Sequence, residues 1–91
     1  GQDYVLKTLV LSTAYAALDK GSVTNCGMVM LLNVDATLEA VVSMDGNVTD
    51  CMRLKPGEPA VFRLPTAYDI TKLMVKSASG TPAVEYLILE D

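Results

Sequence analysis

The stretch VVSMDGNVTDCMRLKPGEPAVFRL, residues 41–64, shows how this chain is built. Its apolar runs are short, and they are separated by two clusters of turn residues, at 45–47 and 55–58. Glycine and asparagine tolerate positive φ, and proline presets φ at the second position of a tight turn. Between the turns, apolar residues recur at every second position, which is the period of a strand with one buried face. The stretch therefore predicts strand, loop, strand, turn and strand.

The same pattern continues on both sides of this stretch. ITKLMVKS (70–77) and AVEYLILE (83–90) each alternate, the latter with Val84, Tyr86 and Ile88 on one face. GMVMLLNV (27–34) is continuously apolar, which predicts a central strand covered on both faces. The count is six to eight short strands, so we expect an all-β fold, a small antiparallel β-sandwich that is jelly-roll-like.

The first 20 residues leave two interpretations open. VLKTLVLS (5–12) is rich in residues that favour strands, whereas Leu6, Leu9, Val10 and Ala17 lie near helical spacing. We favour a strand followed by an irregular alanine-rich segment. The chain is predicted to be a single domain over 1–91, with 1–20 as a possible N-terminal arm, extended or partly helical.

Composition excludes several classes of partner. The net charge is −4, and the seven basic residues are dispersed, whereas nucleic-acid binding needs a clustered cationic surface. No apolar run approaches the ~20 residues of a membrane span, and Asp3 and Lys7 interrupt the pattern of a signal peptide. We expect neither nucleic acid nor membrane as a partner. For Cys26 and Cys51 we favour free thiols, with one disulfide left open.

The chain offers little for catalysis. It has no histidine, no nucleophile elbow and no phosphate-binding glycine loop. Asp45 and Asp50 would need a cleft to act as an acid–base pair, and we interpret them as turn residues instead. DGNVTD (45–50) offers oxygen ligands for calcium but lacks the terminal glutamate of an EF-hand loop. We expect no enzyme activity, no cofactor, no metal and no small-molecule substrate.

Apolar residues also fall on the strand faces opposite the predicted core, at Val41, Val61, Met74, Leu87 and Leu89. A small monomer rarely exposes an apolar patch above a few hundred Å². The second sheet, an oligomer or a larger partner could cover these side chains. Together with the N-terminal segment, the predicted interface comprises Tyr4, Val5, Leu6, Leu9, Leu11, Leu87 and Leu89.

From residue 25 to 91, the sequence resembles small β-sandwich proteins of tailed-bacteriophage particles, the head-decoration and head-fibre-base proteins. The shared features are an apolar strand ending in asparagine, MVMLLNV, a short loop, DAT, and a strand ending in a turn, VVSMDGN. MRLKPGEPAVFRL and SASGTPAVEYLILED follow in the same order.

The resemblance implies a non-enzymatic structural role in the virion, most simply a capsid decoration or cement protein on the outer head surface. Its partner would be the major capsid protein or another virion protein, with the chain found in the host cytoplasm during assembly. We expect a homo-oligomer, with a trimer favoured, and an arm over residues 2–17 that lies on a neighbour. The alternative is a carbohydrate- or receptor-binding module of a fibre or tail.

Overall fold

The computed structural model describes residues 3–46 and 49–91. These residues form an all-β fold, as the alternating pattern predicts. The eight strands are β1 (Tyr4–Val10), β2 (Ala16–Ala17), β3 (Cys26–Asn33), β4 (Ala40–Ser43), β5 (Met52–Leu54), β6 (Pro59–Arg63), β7 (Met74–Ser77) and β8 (Ala83–Glu90). In the described part of the chain, no helix is long and apolar enough to cross a membrane.

The strands form two antiparallel sheets of four. Sheet A has the order β1-β8-β3-β6, and sheet B has the order β2-β7-β4-β5. The pairs β1–β8, β2–β7, β3–β6 and β4–β5 are those of one long hairpin, and wrapping that hairpin adds the pairs β3–β8 and β4–β7. This is the arrangement of an eight-stranded jelly roll, a sandwich built from two Greek keys.

The core lies between the sheets and is made by every second residue of each strand. Sheet A contributes Val29, Leu31 and Ile88, and sheet B contributes Val42 and Val75, all at most 1% exposed. Burying a side chain of this size stabilises the fold by about 1.5–3 kcal/mol. The prediction that Val84, Tyr86 and Ile88 share the core face of one strand is confirmed.

The turn predicted at 55–58 is confirmed. The amide of Glu58 donates to the carbonyl of Lys55 over 3.0 Å, and Gly57 has φ +80°. A glycine with positive φ at the third position, after proline, is typical of a type II turn. At the other predicted turn, Asn47 and Val48 lie outside the described residues.

The N-terminal segment belongs to the chain's own sandwich. Residues 4–10 pair with β8 at seven positions, and the alanine-rich segment adds the short strand β2 at the edge of sheet B. This agrees with the favoured interpretation, a strand followed by a largely irregular segment. The partly helical alternative is wrong for residues 3–20, and the described part of the possible arm is an edge strand and its connection rather than a separate extension.

One predicted strand begins later than expected. Residues Ile70–Lys72 form a 3-10 turn, and β7 begins only at Met74. The Asp69 carboxylate caps this turn by accepting from the Thr71 amide over 3.0 Å. The local hydrogen bond competes with strand pairing, while Leu73 and Val75 still reach the core as predicted.

Candidate interaction surface

The outer face of sheet A is almost entirely apolar. The strand register places its side chains in rows that cross all four strands. One row is Leu6, Leu87, Met30 and Val61, and the row beside it is Tyr4, Leu89, Met28 and Arg63. Only Arg63 and Glu85 are charged among the outward-facing strand positions of the described sheet. We name this surface the apolar face.

Several large side chains of the apolar face are open to solvent. Tyr4 is 63% exposed, Leu6 60% and Val61 59%, while Leu89 is 40% exposed. Between them lies a shallow depression of about 120 Å³. It is lined by Met28, Val29, Met30, Val61, Leu87 and Leu89. The surface thus has both the relief and the composition of a protein-binding patch.

Strand β3 carries the clearest mismatch between sequence and surroundings. Its sequence predicts cover on both faces, but its burial alternates strictly, with Val29 and Leu31 in the core and Met28 and Met30 half-buried on the apolar face. The prediction is wrong for the chain alone, because β3 belongs to sheet A and only one side of that sheet packs against sheet B. A strand that is apolar on both sides fits a position between the core and a partner.

The outer face of sheet B is different, because polar side chains of the same chain cover it. Val41 points outward there but is only 5% exposed. In the register it lies between Lys76 and Arg53. The stems of such long cationic side chains shield apolar surface while their charges stay in water.

These two cations are themselves held in place. Lys76 lies 3.6 Å from the Asp50 carboxylate, with its ammonium 4.6 Å from the centre of the Tyr15 ring. Arg53 lies 3.6 Å from Glu39. The Tyr15 hydroxyl donates to Asp50, and burial, followed by this bond, raises the pKa of Tyr15. The chain therefore closes sheet B with its own residues and leaves sheet A open.

The residues predicted as interface divide between the two sides of sheet A. Tyr4, Leu6, Leu87 and Leu89 lie together on the apolar face. Val5 and Leu11 are buried in the core, and Leu9 is half-buried against it, so these three side chains face the interior. Only the four outward-facing residues of the predicted interface therefore form one surface. The role of this surface as an interface stays a prediction.

Of the two carboxylates in the loop at 45–50, Asp45 serves local structure. Asp45 accepts from the Ser43 hydroxyl over 2.7 Å and from the Thr49 amide over 2.9 Å. These hydrogen bonds, that of Ser43 foremost, lower its pKa from 3.8 to about 2. Neither Asp45 nor Asp50 lines either of the two principal depressions. The interpretation as a turn residue agrees with this geometry for Asp45, whereas Asp50 contacts Tyr15 and Lys76 on the outer face of sheet B.

No metal site is found among residues 3–46 and 49–91, where no group of three or more histidine, cysteine, aspartate or glutamate side chains converges. The calcium loop considered at 45–50 includes two residues outside the described ranges. Cys26 and Cys51 are both free thiols. Burial raises the pKa of Cys26, which disfavours its reactive thiolate.

A second depression, of about 180 Å³, lies at one end of the sandwich. It is lined by Thr24, Asn25, Cys26, Pro65, Thr66, Ala67, Tyr68 and Asp91. The Tyr68 hydroxyl donates to the Met44 carbonyl over 2.7 Å, and its ring packs against the core. Tyr68 is therefore held in place by the fold, with its half-buried ring forming part of the lining of this depression.

The interface predicted from the sequence does not include Met28, Met30 or Val61. The sequence predicts that Val61 lies opposite the core, and it places the two methionines in a run expected to be covered on both faces. The signal that could have found them is the strand order, which brings β3 and β6 beside β8. Alternation within one strand assigns faces, but it does not show which strands are neighbours.

No protein-family model matches the chain, and a search of curated proteins finds no significant match.

Proposed function

We propose that this chain is a non-enzymatic structural component of a tailed-phage virion, a capsid decoration or cement protein. It binds the outer surface of the head through the apolar face, and its partner there is the major capsid protein or another virion protein. The observation that carries the proposal is the contrast between the two outer faces of the sandwich. The resemblance noted over residues 25–91 supplies the virion setting, and the jelly roll, which viral capsid proteins also use, is compatible with it.

The contrast between the faces supports a binding role for sheet A. Val41 on sheet B is shielded by two cations, whereas Leu6 and Val61 on sheet A have no such cover and stay about 60% exposed. Exposed apolar side chains lower solubility, and a contiguous set of them marks an interaction site. The apolar face therefore suits a permanent contact more than a transient, charge-steered one.

The size of the apolar face argues for a partner larger than one copy of the chain. Strands about 4.8 Å apart and some seven residues long give a four-stranded face of roughly 450 Å². Two such faces stacked together would bury roughly 900 Å² in total, below the ~1,200 Å² at which stable interfaces begin. A capsid lattice, which surrounds each bound subunit with several neighbours, provides the missing area.

Co-sedimentation of the purified chain with undecorated heads tests this proposal. Leu6→Ser and Val61→Ser should each lower occupancy at least about five-fold, because each removes a large exposed apolar side chain from the contact. Arg53→Ser on sheet B is the matched control and should bind as the parent does. Equal binding by all four proteins would overturn the proposal.

A glycan array probes the carbohydrate-binding alternative with the same proteins. Under the present proposal no glycan is retained. Specific binding to one glycan class that is lost when an exposed tyrosine is replaced would instead establish the alternative. It would also contradict the proposal that the apolar face binds the virion.

A further inference from the structure

We propose that two copies of this chain associate along strand β1, which pairs antiparallel with the β1 of a second copy across a two-fold axis near Val5. The pairing joins two copies of sheet A into one sheet of eight strands, with both apolar faces on the same side. Its biological use rests on the proposed function, whereas the physical argument for it comes from the strand edge alone.

Strand β1 is an edge with unused backbone groups. Two hydrogen bonds lie at the ends of its ladder with β8. The Glu90 amide donates to the Asp3 carbonyl over 3.0 Å, and the Leu11 amide donates to the Pro82 carbonyl over 2.8 Å. Antiparallel ladders use every second residue, so the odd-numbered residues bond β8. The N–H and C=O groups of Tyr4, Leu6, Thr8 and Val10 therefore point away from the sheet.

The other three strand edges in the described ranges are protected. Strands β2 and β5 have only two and three residues. Strand β6 begins with Pro59, which lacks an amide hydrogen, and ends with Arg63. Strand β1 has seven residues and contains neither proline nor glycine. Because natural sheets shorten or block edges that are to stay unpaired, a long open edge indicates pairing.

The positions of the charged residues Asp3 and Lys7 favour a two-fold axis at Val5. An axis at Lys7 would set the two Lys7 side chains directly opposite each other, which is unfavourable. An axis at Val5 sets Lys7 opposite Asp3 of the second copy, twice, and Tyr4 opposite Leu6. Asp3 needs such a cation, because its partner in the ladder with β8 is Glu90, another carboxylate. Within its own chain, Lys7 binds only Asp19 among the described carboxylates.

The same arrangement suits the proposed virion contact. The paired apolar faces form one surface of roughly 900 Å², twice the width of a single sheet. The contact between the copies themselves is small, since it consists mainly of about four backbone hydrogen bonds and two ion pairs. We therefore expect a dimer that is weak in solution and is held more firmly on a particle.

Sedimentation equilibrium without particles tests the dimer, at about 10–500 μM, the range in which so small a contact associates. The parent should show a monomer–dimer equilibrium within this range. Leu6→Pro should weaken it at least about ten-fold, because proline removes an outward amide yet is tolerated at a strand edge. Leu6→Val keeps the amide and should associate like the parent. A monomer throughout, or the trimer that the sequence analysis favours, would overturn the proposal.

A second pair of variants keeps the test decisive if circular dichroism shows that Leu6→Pro has not folded. Asp3→Lys places a lysine opposite Lys7 of the second copy and should weaken the dimer several-fold. Glu85→Lys makes the same charge change on the outer face of β8, away from the edge, and should not. Equal association of both variants would overturn the pairing. Failure of head binding with an intact dimer would instead refute the proposed function alone.

Cross-linking tests the axis, in a background with Cys26→Ser and Cys51→Ser. An equal mixture of Tyr4→Cys and Leu6→Cys should form the mixed disulfide, because opposed residues have Cα atoms about 5.5 Å apart. Either variant alone should not, since its two cysteines would be offset by about 8 Å. Equal cross-linking of one variant with itself would overturn an axis at Val5.

Discussion

Asn33 is the residue that ties the two sheets together at one end of the sandwich. It is fully buried at the end of β3, in sheet A. Its side-chain amide donates to the carbonyls of Leu38, 2.9 Å, and Leu54, 3.0 Å, and its oxygen accepts from the Asp35 amide, 3.0 Å. Leu54 belongs to β5, so one side chain of sheet A satisfies the backbone of sheet B.

Replacing Asn33 with alanine should lower the free energy of unfolding by about 2–4 kcal/mol, because one buried and one partly buried carbonyl lose their donor and a cavity opens. Urea denaturation measures the change. Asn25→Ala, at an exposed position just before β3, is the control and should stay within about 0.5 kcal/mol of the parent. A loss below about 1 kcal/mol at Asn33 would show that water replaces its hydrogen bonds.

Asp45 makes the stability of its loop dependent on pH. Its folded pKa, about 2, lies below the ordinary value of 3.8, so folding favours the charged form. Its contribution is therefore complete above about pH 4 and is lost as the pH falls towards 2. Urea denaturation across this pH range measures the free energy of unfolding. It should fall less with decreasing pH in Asp45→Asn than in the parent. Parallel losses in both proteins would contradict the assignment.

At the scale of the element, adjacent residues of β8 point to opposite sides of sheet A, one into the core and the next onto the apolar face. Ile88 is fully buried, whereas Leu89 is 40% exposed on the outer side. Ile88→Ala should cost about 2–5 kcal/mol of unfolding free energy, while Leu89→Ala should cost about 1 kcal/mol or less. We expect the opposite order for binding to heads. Leu89→Ala should weaken binding more than Ile88→Ala, because only Leu89 lies in the proposed contact. Thermal unfolding and co-sedimentation of the same two variants measure both effects.

Alternation was sufficient to place most strands and faces. It correctly predicted the strands around 52–54 and 59–63, the turn between them, and the core face of β8. It failed where a local hydrogen bond competed, at the 3-10 turn capped by Asp69. It also treated Val5, Leu9 and Leu11 as interface, because an edge strand and a projecting arm have the same apolar pattern. Only the pairing with β8 separates them.

At the scale of the whole molecule, the distribution of charge governs how binding responds to salt. The chain has a net charge of −4, but the outward strand positions of sheet A hold only Glu85 and Arg63, and Arg63 lies 3.1 Å from Asp91. Screening by salt weakens contacts between exposed charges and leaves apolar contacts intact. Head binding should therefore change less than about two-fold between roughly 0.1 and 1 M sodium chloride. Release of the chain by high salt, measured by co-sedimentation, would indicate an electrostatic contact elsewhere.

The position of β8 between β1 and β3 also has a consequence for synthesis on the ribosome. Strand β1 cannot join sheet A until residues 83–90 have been made, because its neighbour in the sheet is β8. Until then the nascent polypeptide holds β1 and one side of β3 unpaired, and both are apolar. Such segments are prone to aggregate, and pairings distant in sequence form slowly. Newly made chains should therefore depend on chaperones until residues 83–90 have been made, and a stall before residue 83 should leave them insoluble.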